Sequence, residues 1–267
     1  MSKVVLITGA SSGIGKAIAI FLQKKGYIVY GTSRNPKNIE PLTFHLIALD
    51  VLNNKSIIEA INLVIKKEGK LDVLVNNAGM GMTGSVEDTP TEEMRKVFNT
   101  NLFGAIDVMK AVLPQMRIQN SGIIINITSI AGYMGLPYRG VYSATKGALE
   151  IITEAARIEI KNFGIDIVNV APGDFATNIA FSRYHTPVFE NSAYKENYQA
   201  NLDLIDAHVD RGMNPSEMAK KVFKIINTKK PKIHYKVGSN MEKFSIVLKR
   251  ILPDKIYEKL LMNHYKL

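Results

Sequence analysis

The chain has 267 residues, 46% of them hydrophobic and 22% charged, enough for one globular core and unlike a fibrous or disordered chain. It has no Cys, which excludes disulfides, thiolate metal sites and a cysteine nucleophile, and its five His (45, 185, 208, 234 and 264) lack metal-ligand spacing, so no metal site is expected. The net charge is +10, of which +7 lies in residues 229–267, where ten Lys or Arg face three acids; nucleic acid, an anionic membrane surface or plain solubility would each suit that excess.

The first strand is expected at Val4–Thr8. Its apolar run is too short for a signal-peptide core, no later run reaches the ~18 residues of a membrane span, and a cytoplasmic location is expected. The strand runs into TGASSGIG, Thr8 to Gly15, and a helix over Gly13–Lys25. A glycine cluster between strand and helix suits a pyrophosphate: Gly9 permits the turn, Gly13 lets a phosphate approach, and Gly15 lets the helix lie on the sheet. The second strand, Ile28–Thr32, ends in Ser33 and Arg34 with no acid. An acid there would hold the free ribose of NAD, whereas an Arg suits a 2′-phosphate, so NADP(H) is expected to be preferred with NAD(H) possible.

Further strands are expected at His45–Leu49, Leu71–Asn76, Gly122–Thr128, Ile165–Val170 and Lys232–Val237, with helices at Lys55–Lys67, Thr91–Gln119 and Tyr142–Phe163. Seven short apolar strands alternating with amphipathic helices predict an α/β fold, a single-domain Rossmann-like doubly wound parallel sheet over residues 1–267. Residues 178–212 break the rhythm with several aromatics and no clear strand, which fits a substrate lid or an ordinary packed helix pair. Residues 238–267 form a basic amphipathic extension, with Phe244, Val247, Leu248, Ile251 and Leu252 at helical spacing. It could close an oligomer, cover a pocket or rest on an anionic membrane.

The stretch VYSATKGAL places Tyr142 and Lys146 one helical turn apart on one face. Alone, such a pair is commonplace on a surface helix. Here it takes its place in an ordered series: TGASSGIG at 8–15, NNAG at 76–79, Asn101 in NTNLFG, Ser129 in NITSIAG, YSATK, and PGDFAT at 172–177. In that order and spacing the sequence resembles the short-chain dehydrogenase/reductase family over residues 3–180, nearest to its NADP-preferring carbonyl, hydroxysteroid and retinol dehydrogenase-like members.

The resemblance implies a catalytic set of Asn101, Ser129, Tyr142 and Lys146. Gly9, Ser11, Ser12, Gly13, Ile14 and Gly15 would hold the pyrophosphate, and Ser33 and Arg34 the 2′-phosphate side. Asp50, with Val51 beside it, would bind the adenine amine. Asn77, Ala78 and Gly79 would line the adenosine ribose, and Pro172, Gly173 and Thr177 would flank the nicotinamide. Asn101 would kink its helix and hold a proton-relay water. Tyr142 would be the general acid in reduction and base in oxidation, helped by Lys146, because a cation near a phenol favours the phenolate. Ser129 would donate a hydrogen bond to the substrate oxygen.

A small lipophilic carbonyl or alcohol is the expected substrate, with Met80, Met82, Tyr133, Met134, Pro137, Phe175, Phe181 and Tyr184 as candidate pocket walls. Arg139 and Arg183 are the only candidates for an anion clamp. Family likeness implies a homodimer or homotetramer joined through the helices near 91–119 and 142–163. No nucleic-acid partner is expected, because the basic tail lacks an aromatic platform. A non-catalytic dinucleotide sensor is the alternative function, and a tuned phenol would serve no purpose in it.

Overall fold

The computed structural model describes residues 2–40, 42–176, 183–210 and 212–267, with backbone alone for 206–210. Seven parallel strands form the main sheet: β1 (Val4–Ile7), β2 (Ile28–Ser33), β3 (His45–Ala48), β4 (Val73–Asn76), β6 (Gly122–Ile127), β7 (Ile165–Pro172) and β9 (His234–Val237), in the spatial order β3-β2-β1-β4-β6-β7-β9. The chain is an α/β protein of the expected doubly wound type. The strands are apolar because both faces are covered. Val5 and Ile7 of β1 point into one core layer, against α1 (Gly13–Lys24) and α7 (Pro215–Ile226); Val4 and Leu6 point into the other, against α2 (Asn54–Glu68) and α4 (Gly104–Gln119). The chain order reverses between β1 and β4, so their carboxyl ends open a crevice where such sheets bind ligands.

Several boundaries differ from the sequence expectation. The fourth strand starts at Val73 rather than Leu71, because the Gln119 side chain takes both backbone groups of Leu71, at 2.8 and 3.0 Å. The last strand starts at His234 rather than Lys232, whose N–H donates to the Tyr235 hydroxyl at 2.9 Å. The expected helix over Thr91–Gln119 is interrupted: α3 (Thr91–Phe98) passes through a π-helical turn at Asn99–Phe103 into α4. The expected helix over Tyr142–Phe163 begins at Gly140 and ends at Glu159 (α5), with a tight turn at Lys161–Phe163 before the left-handed Gly164, φ +65°.

The 178–212 region, expected to lack a strand, holds β8 (Tyr184–His185), which pairs in parallel with β5 (Met82–Thr83). It continues into α6 (Lys195–Asp210). Two further helices, α8 (Asn240–Ile251) and α9 (Asp254–Tyr265), form the basic extension.

Candidate active site

The glycine turn after β1 is locked to the end of β4. The Thr8 hydroxyl accepts the N–H groups of Asn77 and Ala78, both at 2.9 Å, and Asn77 Nδ2 donates to the carbonyls of Thr8 and Gly9, both at 2.9 Å. Gly9 has φ +65°, and a Cβ on it would meet Ala78 Cα at 3.0 Å. A Cβ on Gly15 would lie 2.4 Å from the Gly9 carbonyl oxygen and 2.5 Å from Asn77 Nδ2, so only glycine lets α1 approach this closely. The first turn of α1 carries no acid, and the Ser12 side chain makes no capping bond. The open N–H groups and dipole at that end, beside half-buried Ser11, Gly13 and Ile14, form a cradle for an anion.

Around the cradle stand the other expected cofactor residues. At the end of β2, Ser33 is half-buried and Arg34 exposed. Among the described residues Arg34 has no acidic partner within ion-pair distance. Asp50 makes a local turn, its Oδ1 accepting the Leu52 N–H at 3.0 Å while its own N–H donates to Ser56 Oγ at 3.0 Å. Val51 presses on the start of α4, where a Cβ on Gly104 would lie 2.9 Å from its Cβ.

Asn101 sits in the π-helical turn and is buried. A π turn widens the helix locally and recurs at functional sites. Its Oδ1 accepts the Met80 N–H at 2.8 Å, and its Nδ2 donates to the Met80 carbonyl at 2.9 Å and to Thr145 Oγ1 at 3.2 Å. The side chain thus clamps the NNAGM turn to α5. Gly79 lies at the meeting point: a Cβ there would stand 3.1 Å from Asn101 Oδ1 and 3.5 Å from Lys146 Nζ.

Ser129 follows β6 and caps a tight turn at Ile130–Tyr133, its Oγ accepting the Ala131 N–H at 3.1 Å. Gly132 in that turn and Gly147 on α5 touch backbone to backbone, so the turn lies directly on the helix carrying Tyr142. This pair of glycines is how Ser129 and Tyr142 come to line one cleft. Lys146, one turn below Tyr142, is buried, donates to the Ile127 carbonyl at 2.9 Å, and has its ammonium 6.0 Å from the centre of the Tyr142 ring. Burial holds the lysine below its ordinary pKa, opposed by charge on Tyr142 and Glu150.

The cleft is also lined by Ile14, Met82, Pro172, Gly173 and Phe175. Thr177 and Phe181 lie outside the described residues. Tyr133 and Met134, expected as pocket walls, serve elsewhere: the Tyr133 hydroxyl donates to Glu150 at 2.9 Å, and Met134 Sδ accepts from the Tyr257 hydroxyl of α9 at 2.8 Å. Arg139 and Arg183 both line the cleft, with Asp174 beside them.

Three residues escaped the sequence reading. Asp174 adds a carboxylate to the cleft. Tyr265, from the last turn of α9, is buried with its phenol against Arg139 and Asp174; burial and the Asp174 charge raise its pKa, and Arg139 opposes them. The extension therefore covers the cleft wall, one of the alternatives its sequence allowed. Buried Glu150, one turn beyond Lys146, accepts from Thr128 Oγ1 and Tyr133 and lies 2.7 Å from His234 Nδ1. Only its i, i+4 spacing from Lys146 could have pointed to it.

A family model described as short chain dehydrogenase matches residues 3–187. A 3-ketodihydrosphingosine reductase of Bacteroides thetaiotaomicron is 40% identical over 98% of this chain and 98% of its own length. An NADPH-dependent 3-dehydrocapnine reductase of Ornithobacterium rhinotracheale is 30% identical, covering 98% of this chain and 96% of that one. The solved structure of a short-chain dehydrogenase from Streptomyces avermitilis superposes with a TM-score of 0.84 at 32% identity, over 100% of this chain and 97% of that one. The chain belongs to the short-chain dehydrogenase family. It is an oxidoreductase of the kind that acts on CH–OH groups.

Proposed function

We propose that the protein is an NADPH-dependent reductase that converts a ketone on an amphiphilic, lipid-like substrate into a secondary alcohol. The observation that carries this reading is the convergence of Ser129 and Tyr142 on one cleft, with the buried Lys146 ammonium behind the phenol. A dinucleotide fits the cradle on structural grounds: the first turn of α1 carries no acid, the Ser12 side chain leaves its N–H groups uncapped, and Arg34 is exposed at the end of β2. Guanidinium–phosphate pairing at Arg34 and Ser33 favours NADP(H), with NAD(H) possible.

When bound, a dihydronicotinamide cofactor would supply hydride to the carbonyl carbon. The chain's own residues handle the oxygen. Ser129 Oγ already accepts one bond from Ala131, so its proton is free to point at the substrate oxygen and steady the growing negative charge. Tyr142 gives its phenolic proton to that oxygen, and the nearby Lys146 ammonium stabilises the phenolate left behind. Asn101 holds the floor of the site through Met80 and Thr145. Asp50 and Val51, with Asn77, Ala78 and Gly79, bound the adenosine side, and Pro172 and Gly173 bound the nicotinamide side.

The substrate class follows from the wall. Ile14, Met82 and Phe175 suit an apolar chain, while Arg139, Asp174 and Arg183 suit a charged head beside the carbonyl. The two relatives above, a 3-ketodihydrosphingosine reductase and an NADPH-dependent 3-dehydrocapnine reductase, support a ketone substrate and NADPH. β8 and α6 form the substrate-side cover of a single 267-residue domain. Exposed Phe103, Ile151 and Ile158, on the π-helical turn before α4 and on α5, would join a homodimer or homotetramer.

The test is NADPH oxidation, compared with NADH, over a panel of long-chain 3-ketones with and without a 2-amino head. Turnover that prefers NADPH and drops ~1,000-fold in Tyr142→Phe is expected. Unaltered turnover in that variant would remove Tyr142 from the chemistry.

A further inference from the structure

We propose that α8 and α9 form a docking surface for an anionic lipid bilayer. Each helix has 12 residues, and each has an inner and an outer face. The inner faces are anchored: Ile246 packs with Ile130 and Ala171, Tyr257 bonds Met134, and Tyr265 lies against Arg139. The outer faces are apolar where solvent-facing helices are usually polar. On α8, Met241 (74% exposed), Phe244 (52%), Val247 (44%) and Ile251 (67%) follow spacings of three, three and four, which make one stripe. On α9, exposed Ile256 and Leu260 run beside Lys255 and Lys259, with exposed Lys266 just past the end of the helix.

The charge on these faces selects the occupant. Among the described residues Lys243, Arg250, Lys255, Lys259 and Lys266 have no acidic partner within ion-pair distance. Of the three acids in the same stretch, Glu242 is turned inward onto the N–H groups of Asp174 and Ser239, and Asp254 is taken by Lys249 at 2.8 Å. Only Glu258 remains to offset these five cations, of which Arg250, Lys255, Lys259 and Lys266 are exposed. Apolar rows flanked by Lys and Arg are what an interfacial helix presents to anionic headgroups. A second copy is a poor occupant, because a two-fold contact would set the same five cations against themselves. No helix among the described residues is long and apolar enough to cross a membrane, so the surface lies on the bilayer.

The opposite side of the same helices packs behind Arg139 and Asp174 of the cleft lining, so docking would bring the cleft wall close to the lipid. Substrate delivery by this route rests on the lipid-ketone reading above; the docking itself does not. The test is flotation of the full chain with phosphatidylcholine vesicles, with and without phosphatidylglycerol. Binding that needs phosphatidylglycerol and is released by high salt is expected. The pair Phe244→Ser/Ile251→Ser and the pair Lys255→Gln/Lys259→Gln should each cut the bound fraction ~10-fold. Both pairs lie off the cleft lining and should leave turnover of a short, water-soluble ketone unchanged. Failure of the parent chain to float with anionic vesicles, or flotation indifferent to both pairs, overturns the proposal. Loss of a solution dimer in Phe244→Ser/Ile251→Ser without any vesicle binding overturns it in favour of a second copy. Flotation needs neither cofactor nor turnover, so an inactive reductase would leave its result standing.

Discussion

At the crevice between β1 and β4, Thr8 and Asn77 meet 69 residues apart in sequence, and every bond between the two turns engages at least one backbone group. At the far wall of the cleft, Arg139, Asp174 and Tyr265 meet through side chains brought from three distant segments. The first region tolerates few residues at each position, because a backbone turn or a 2.4 Å approach admits only glycine. The second can be built from many residues, provided that the segments fold back to the same place. A motif can therefore announce the first, and no local pattern announces the second. This contrast also tells how the two regions should respond to substitution: the first by losing catalysis or fold, the second by changing only what is bound.

Lys146→Met should give the largest effect. The variant should lose ~1,000-fold in kcat, because the phenolate then has no cation behind it. Its thermal midpoint at neutral pH should stay level or rise. Burial holds the lysine below 10.5, so the folded state disfavours the charged form. That cost is fully present below the folded pKa and is relieved as pH climbs from there towards 10.5. The advantage of Met should shrink over the same window, which melting curves against pH would show. The parent enzyme's reductase activity should decline in that alkaline window too. A variant that melted well below the parent at pH 7 would mean that the ammonium holds the fold as well as the chemistry.

Gly15→Ala comes next. Its Cβ would meet backbone oxygen at 2.4 Å and Asn77 Nδ2 at 2.5 Å, and neither neighbour is a flexible chain end. A cost of ~2–3 kcal/mol is expected, lowering the thermal midpoint by roughly 5–10 °C. Dinucleotide affinity, followed by NADPH fluorescence, should fall with it. A smaller, purely electrostatic effect is expected in Arg34→Ala: KM for NADPH rises ~30-fold while KM for NADH is unchanged. Equal changes for both cofactors would show that Arg34 does not read the 2′-phosphate.

The same contrast explains what could be read in advance. The seven-strand parallel sheet was legible because runs such as VVLI and GIIINI are apolar on both faces. The break in the long helix was legible at Asn101 from the family pattern, although its π-helical form was not. β5 and β8 were not legible, since two residues each carry no periodicity. The amphipathic stripe of the extension was legible, but its target was not: the sequence shows that a helix has an inner face, not which wall that face will meet. Tyr133 and Met134 read from sequence as candidate walls for a lipophilic substrate, and the structure instead satisfies them with Glu150 and Tyr257. Glu150, a buried carboxylate on α5, draws the Tyr133 phenol away from the cleft.

The smallest expected effect tests the second region directly. Tyr265→Phe removes one hydroxyl from beside Arg139 and Asp174 and leaves the ring that fills the space. Losing one such bond costs on the order of 1 kcal/mol, about fivefold in an equilibrium. Because Arg139 lines the cleft, the loss should fall on the ketone: KM for a charged-head substrate should rise roughly fivefold while KM for NADPH stays unchanged. A ketone without a charged head should feel no change, since it makes no demand on Arg139 or Asp174. If both ketones weaken equally, Tyr265 holds the shape of the wall and the charges beside it do not choose the substrate. If only the charged one weakens, the last turn of the chain sets specificity for a site whose chemistry is carried more than a hundred residues upstream, by Tyr142 and Lys146.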